Sequence, residues 1–130
     1  MTAGPARRIL VVDDEHTLAD TLATILERAG YISTAAYNPA EALASLAQVR
    51  PDLIITDVMM PVMNGVEFAI RAGKAYPGVK IILISGHAGT QDIMEAAHLD
   101  GHSIELLAKP VLPEELLFRV AELLNSSRST

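Results

Sequence analysis

Residues 51–65 read PDLIITDVMMPVMNG, and the way this stretch folds constrains everything around it. Leu53, Ile54 and Ile55 form an apolar run of strand length that stops at Thr56 and Asp57. Beyond it, Pro61 and Gly65 break any continuing helix and force a loop, and Asn64 is a good cap for a helix starting near Val66. The pattern predicts Asp57 at the carboxyl end of a buried strand, on the rim of a sheet. In open α/β sheets that rim is where ligands bind. Taken alone, Asp57 reads as an ordinary solvated loop aspartate. The residues at the ends of the other strands decide between the two readings.

Working outward toward the N-terminus, residues 1–7 are expected to be a flexible tail. Ile9 to Val12 is a continuous apolar run, suited to a strand covered on both faces. It ends in Asp13-Asp14-Glu15. Three adjacent carboxylates repel one another, which points to a nearby cation, although acids also favour a helix N-terminus. The helix that follows carries Leu18, Leu22, Ile25, Leu26 and Ala29 on one stripe, and Gly30 is placed to end it. Tyr31 to Ala35 is a more polar strand, expected at a sheet edge. Asn38-Pro39-Ala40-Glu41 opens a second helix with a cap, a proline at the first turn and a glutamate three after the cap. Ala42, Leu43, Leu46 and Ala47 are its expected core face.

Toward the C-terminus, a third helix is expected from about Gly65 to Ala75, burying Val66, Ala69 and Ile70. Val79 to Ile84 is a further strand, ending at Ser85-Gly86-His87. A fourth helix over Gln91 to Leu99, capped by Thr90, has a thin apolar face and should be the least stable. Ile104 to Ala108 is a fifth strand, ending at Lys109-Pro110. Pro113, Glu114 and Glu115 open the last helix, with Val111 and Leu116 as a hydrophobic staple and Leu116, Leu117, Val120, Leu123 and Leu124 buried. Five strand–helix repeats imply a parallel sheet with helices on both faces. One domain is expected over residues 8–124, with 125–130 as a polar tail.

Composition narrows the function. The chain has 130 residues, half of them hydrophobic, yet few are aromatic, so the core must be aliphatic. A net charge of −6 argues against binding nucleic acid or an anionic membrane through a basic face. With no cysteine, disulfides and thiolate metal sites are excluded. No apolar run approaches the roughly 20 residues that span a bilayer, and the start, MTAGPARR, lacks the apolar core of a signal peptide. The expectation is a soluble cytoplasmic protein. Neither a P-loop nor a G-x-G-x-x-G fingerprint is present, which disfavours a nucleotide-binding module.

Four strands end in polar residues at what should be one rim: Asp13 and Asp14, Asp57, Ser85, and Lys109. Singly, each has a bland explanation. Together they make chance a poor one. The set VVDDE at 11–15, D-x-x-M-P-x-M-N-G at 57–65, Ser85-Gly86 and Lys109-Pro110 resembles the receiver domain of two-component response regulators, over about Arg8 to Leu124. The resemblance implies a flavodoxin-like, doubly wound α/β fold, with a five-stranded parallel sheet in the order 2-1-3-4-5 and five helices. It implies that Asp57 is the phosphoacceptor, and that Mg²⁺ is held by Asp14, Asp57 and the backbone carbonyl of Met59, with Asp13 acting mostly through water. It implies that Lys109 pairs with a phosphoryl oxygen, that the Ser85 hydroxyl donates to another, and that the Lys109-Pro110 bond is cis. A carboxylate can hold a phosphoryl group as an acyl phosphate once the repulsion between anions is neutralised. The implied partners are a sensor histidine kinase or histidine phosphotransfer protein and a downstream protein target. The protein would be a monomer or a phosphorylation-dependent homodimer.

Departures from the family pattern also carry information. Leu106 stands where an aromatic residue usually lies, three before the lysine, so an aromatic rotamer switch there is impossible. Met59 offers no group to orient an attacking water, which suggests slow-to-moderate self-hydrolysis. His87, two after Ser85, is the other position expected to tune the lifetime, though it also reads as a solvated loop histidine. His16, His98 and His102 show no metal-ligand spacing, and Met59, Met60 and Met63 read as loop packing. Two alternatives stand beside the phosphorylation switch. A Mg²⁺-dependent phosphohydrolase would need a second acid two residues after the nucleophile, where Met59 stands, and a cap domain. A phosphorylation-independent adaptor would not need the complete acid, serine and lysine set. The chain is expected not to be an enzyme beyond self-catalysed phosphorylation and dephosphorylation of Asp57. No DNA-binding segment is expected, so it reads as a stand-alone receiver or one taken from a longer chain.

Overall fold

The computed structural model describes residues 6–60, 64–86 and 104–126. Among these, the strands are β1 (Arg8–Val12), β2 (Ile32–Ala36), β3 (Leu53–Asp57), β4 (Lys80–Ser85) and β5 (Ile104–Ala108). The helices are α1 (His16–Arg28), α2 (Pro39–Gln48), α3 (Gly65–Ala75) and α4 (Pro113–Ser126). The strands form one parallel sheet in the order β2-β1-β3-β4-β5, as the resemblance implied.

Alternation of side chains along each strand explains why the apolar runs are continuous. Leu10, Ile54, Ile81, Leu83 and Ile104 face one layer, where they pack with Leu46 of α2 and Phe68 and Ala69 of α3. Ile9, Val11, Ile55, Ile82, Ile84 and Leu107 face the other, packing with Leu22 and Leu26 of α1 and Leu116 and Val120 of α4. β2 is the more polar strand and lies at the edge.

Helix ends follow the local chemistry. Gly30 takes φ +103° just past α1, a conformation that favours glycine. At α2, the Glu41 N–H donates to Asn38 Oδ1 at 2.8 Å, and the Tyr37 N–H donates to Glu41 Oε1 at 2.9 Å. At α3, the Glu67 N–H donates to Asn64 Oδ1 at 2.8 Å. Such caps satisfy first-turn donors that no carbonyl can reach.

Several expectations need correction. In α2, Ala42 and Leu46 are buried, but Leu43 and Ala47 are exposed. The helix covers the edge strand with a narrow stripe, Pro39, Ala42 and Leu46, and Leu43 lies about 100° around from Ala42. In α3, Phe68 and Ala72 are buried, and Ile70 is only partly so. β2 and β4 each sit one residue later than expected, so Ser85 is the last residue of a strand. α4 continues two residues past Leu124. Met59 is exposed, so only Met60 of the described methionines in that loop packs against the core. Met63, the expected helix over Gln91 to Leu99, His87, His98 and His102 lie outside the described residues. No helix among the described residues is long and apolar enough to cross a membrane.

Candidate functional site

The parallel register brings the carboxyl ends of four strands to one rim: Val12 pairs with Thr56, Asp57 with Ile84, and Ser85 with Ala108. Each ladder is prolonged one residue beyond its strand. The Asp13 N–H donates to Ala36 O at 3.1 Å, the Val58 N–H to Ile84 O at 3.0 Å, and the Lys109 N–H to Ser85 O at 2.9 Å. The backbones carrying the chemistry are therefore fixed by the sheet even though their side chains leave it.

Carboxylate oxygens of Asp13, Asp14 and Asp57 all lie within 4.8 Å of one another. Asp13 and Asp57 are buried, and Asp14 is exposed. Asp13 Oδ1 accepts the Glu15 N–H at 2.9 Å, while Asp13 Oδ2 is buried with no hydrogen-bond partner among the described residues. Burial pushes the Asp13 carboxyl up to about 6, with the neighbouring Asp57 and Asp14 carboxylates adding to the rise. Burial also raises Asp57, against the pull of the Lys109 ammonium and a 3.4 Å hydrogen bond from the Met59 N–H to Asp57 Oδ1. Lys109 Nζ stands 3.6 Å from Asp57 Oδ2. Two strained acids and an orphaned buried oxygen form a set of hard oxygen donors short of positive charge, which fits a divalent cation such as Mg²⁺.

Ser85 is buried at the end of β4, next to the strand that carries Asp57. The Lys109 stem runs beside Gly86, where an added Cβ would touch its Cβ and Cδ at 3.6 Å. The Lys109–Pro110 peptide bond is cis, as the resemblance implied. Met59 projects outward and is 54 % exposed. Leu106 is partly buried against the α2/α3 layer and lies opposite Leu83. His16 is the first residue of α1 and stacks on Tyr37 at 3.9 Å between ring centroids.

Two residues gain significance only in three dimensions. Gly65, legible as a loop-former, is also packed so tightly that a Cβ there would lie 2.0 Å from the Asp57 carbonyl oxygen. Glu15, legible as the third acid of a run, sends its carboxylate to Lys109, 3.6 Å away. Glu15 and Lys109 lie too far apart in sequence for any spacing rule to connect them.

A sheet of this order with an acid cluster and a lysine at its carboxyl rim defines a class of α/β signalling domain. The family model described as the response regulator receiver domain matches residues 9–121. The DNA-binding response regulator MtrA of Mycobacterium tuberculosis is 34% identical over 114 residues, which are 88% of this chain and 49% of MtrA. A CheY-like receiver domain protein from Methanospirillum hungatei superposes with a TM-score of 0.84 at 32% identity, covering 94% of this chain and 96% of that one. Vibrio cholerae chemotaxis protein CheY4 superposes with a TM-score of 0.81 at 30% identity, covering 91% and 98%. The chain belongs to the response regulator receiver domain family of two-component signalling. It spans about half the length of the curated relatives it matches.

Proposed function

We propose that Asp57 accepts a phosphoryl group from a phosphohistidine on a sensor kinase or phosphotransfer protein, and that the acyl phosphate switches a surface which a downstream protein reads. The observation that carries this reading is the meeting of three carboxylates and one ammonium on a single rim. A carboxylate oxygen of Asp57 forms the new bond to phosphorus while the donor's N–P bond breaks. The leaving imidazole nitrogen keeps the electron pair and takes up a proton from solvent. Asp57 must be ionised to attack, and Lys109 favours that form. Lys109 and the Ser85 hydroxyl would then neutralise and orient phosphoryl oxygens, so the protein's contribution is positioning and charge stabilisation.

Asp13, Asp14, Asp57 and the Met59 carbonyl would hold Mg²⁺, which when bound supplies positive charge against the incoming phosphoryl oxygens. The outward Met59 presents no group to orient a hydrolytic water, which supports a slow-to-moderate loss of the phosphoryl group. A half-life of only seconds in purified protein would count against this. The reaction is self-modification rather than turnover of a metabolite. With Leu106 on the shoulder of the core, any coupling from Ser85 outward runs through aliphatic packing, not an aromatic flip. Incubation with acetyl phosphate and Mg²⁺ tests the reading by intact mass. One phosphoryl group should add to the wild type and none to Asp57→Ala, while equal labelling of both would overturn it.

A further inference from the structure

Lys109 Nζ lies 3.6 Å from Asp57 Oδ2 and also 3.6 Å from Glu15 Oε1, so one ammonium stands between a buried carboxylate and an exposed one. The phosphoryl chemistry above uses only the first contact. Glu15 occupies the N-cap of α1, yet its side chain makes no capping hydrogen bond. Good caps are the shorter Ser, Thr, Asp and Asn, whose oxygens fold back on the first turn. The Glu15 main chain is instead tied to the pocket through its N–H, which donates to Asp13 Oδ1 at 2.9 Å. The Lys109 main chain is fixed to Ser85 O at 2.9 Å. Both backbones are held, so side-chain torsions decide how the ammonium divides itself between the two acids.

We propose that Glu15 is a positioning residue that shares Lys109 with Asp57, drawing the ammonium partway out of the pocket in the unmodified protein and yielding it once a phosphoryl group is in place. The inference rests on the phosphoacceptor reading and deepens it. A lysine ammonium is a point charge with three donors on a flexible stem, so it changes partners without moving the backbone. While Glu15 shares it, Lys109 competes less with a divalent cation for Asp57. When the phosphoryl oxygens arrive, they outbid a single exposed carboxylate. Glu15 therefore favours the cation-loaded resting state and opposes the phosphorylated one.

The test is a double-mutant cycle on the full chain with two probes, Mg²⁺ alone and beryllofluoride as the phosphoryl mimic. Glu15→Gln should weaken Mg²⁺ binding and tighten beryllofluoride binding, each about two- to fivefold, the size expected of a half-exposed ion pair. Both effects should vanish in a Lys109→Met background. Glu15→Asp keeps the charge but falls one methylene short of Lys109, so it should behave like Glu15→Gln. In metal-free protein the Lys109 side-chain ¹³Cε resonance should move in Glu15→Gln, with Lys74 and Lys80, the other lysines, unmoved. Wild-type affinities in Glu15→Gln or in Glu15→Asp overturn the inference, as do equal changes with and without Lys109, which would mean a diffuse field. Failure of the wild type to bind Mg²⁺ overturns it as well. The Mg²⁺ cycle needs no phosphoryl chemistry, so it decides the tether even if the wild type takes no beryllofluoride, a result that would sink the phosphoacceptor reading and the exchange of partners.

Discussion

Asp13 concentrates the electrostatic strain of the site. Its carboxyl sits at about 6 in the folded protein against 3.8 in the unfolded chain. Between these values the unfolded chain releases the proton first, so folding loses stability as pH rises through the window, by no more than about 3 kcal/mol. The neutral isostere Asp13→Asn should therefore raise the melting temperature of protein kept in EDTA near neutral pH, and the gain should fade as pH drops toward about 4. Calorimetry across that range checks it; an Asn variant no more stable than wild type at neutral pH would contradict the assigned strain. Asp13, Asp14, Asp57 and Lys109 were all legible in the sequence, because each follows an apolar run that a polar residue ends. The partner of Glu15 was not, because its reach to Lys109 exists only after β1 and β5 share a sheet.

At the level of elements, the end of β3 and the start of α3 meet by close approach. The Gly65 N–H donates to Val58 O at 2.8 Å, and any Cβ at Gly65 would overlap the Asp57 carbonyl. Gly65→Ala must displace backbone, so it should destabilise by more than the 1–3 kcal/mol typical of overpacking and should blunt metal binding at Asp57. Urea unfolding and a Mg²⁺ titration read the two effects; a variant within about 0.5 kcal/mol of wild type would show that the contact of Gly65 with Asp57 yields freely. Asn38→Ala removes the acceptor for the Glu41 N–H and should cost about 1 kcal/mol in the same urea unfolding. Caps, breakers and strand runs could be read directly because they are local. The buried face of α2 could not. Leu43 satisfies helical periodicity, but the width of the stripe depends on β2 being an edge strand, which leaves Leu43 uncovered.

For the molecule as a whole, the sheet order follows from alternating strands and helices only up to a choice of topologies. The resemblance selected 2-1-3-4-5, and that order brings four strand ends together. A bound cation should neutralise the repulsion among Asp13, Asp14 and Asp57, so saturating Mg²⁺ should raise the melting temperature near neutral pH, by an amount set by mass action. The rise should shrink near pH 5, where Asp13 is protonated. A rise independent of pH, or one that survives Asp14→Ala and Asp57→Ala together, would place the cation elsewhere. The central claim is that this rim makes one particular acid a phosphoryl carrier. Its most direct test treats wild-type protein with acetyl phosphate, traps the acyl phosphate by borohydride reduction and maps the reduced peptide. Reduction should fall at Asp57 alone, depend on Mg²⁺ and be abolished by EDTA. Reduction at another carboxylate, or at Asp57 equally with and without the metal, would contradict it.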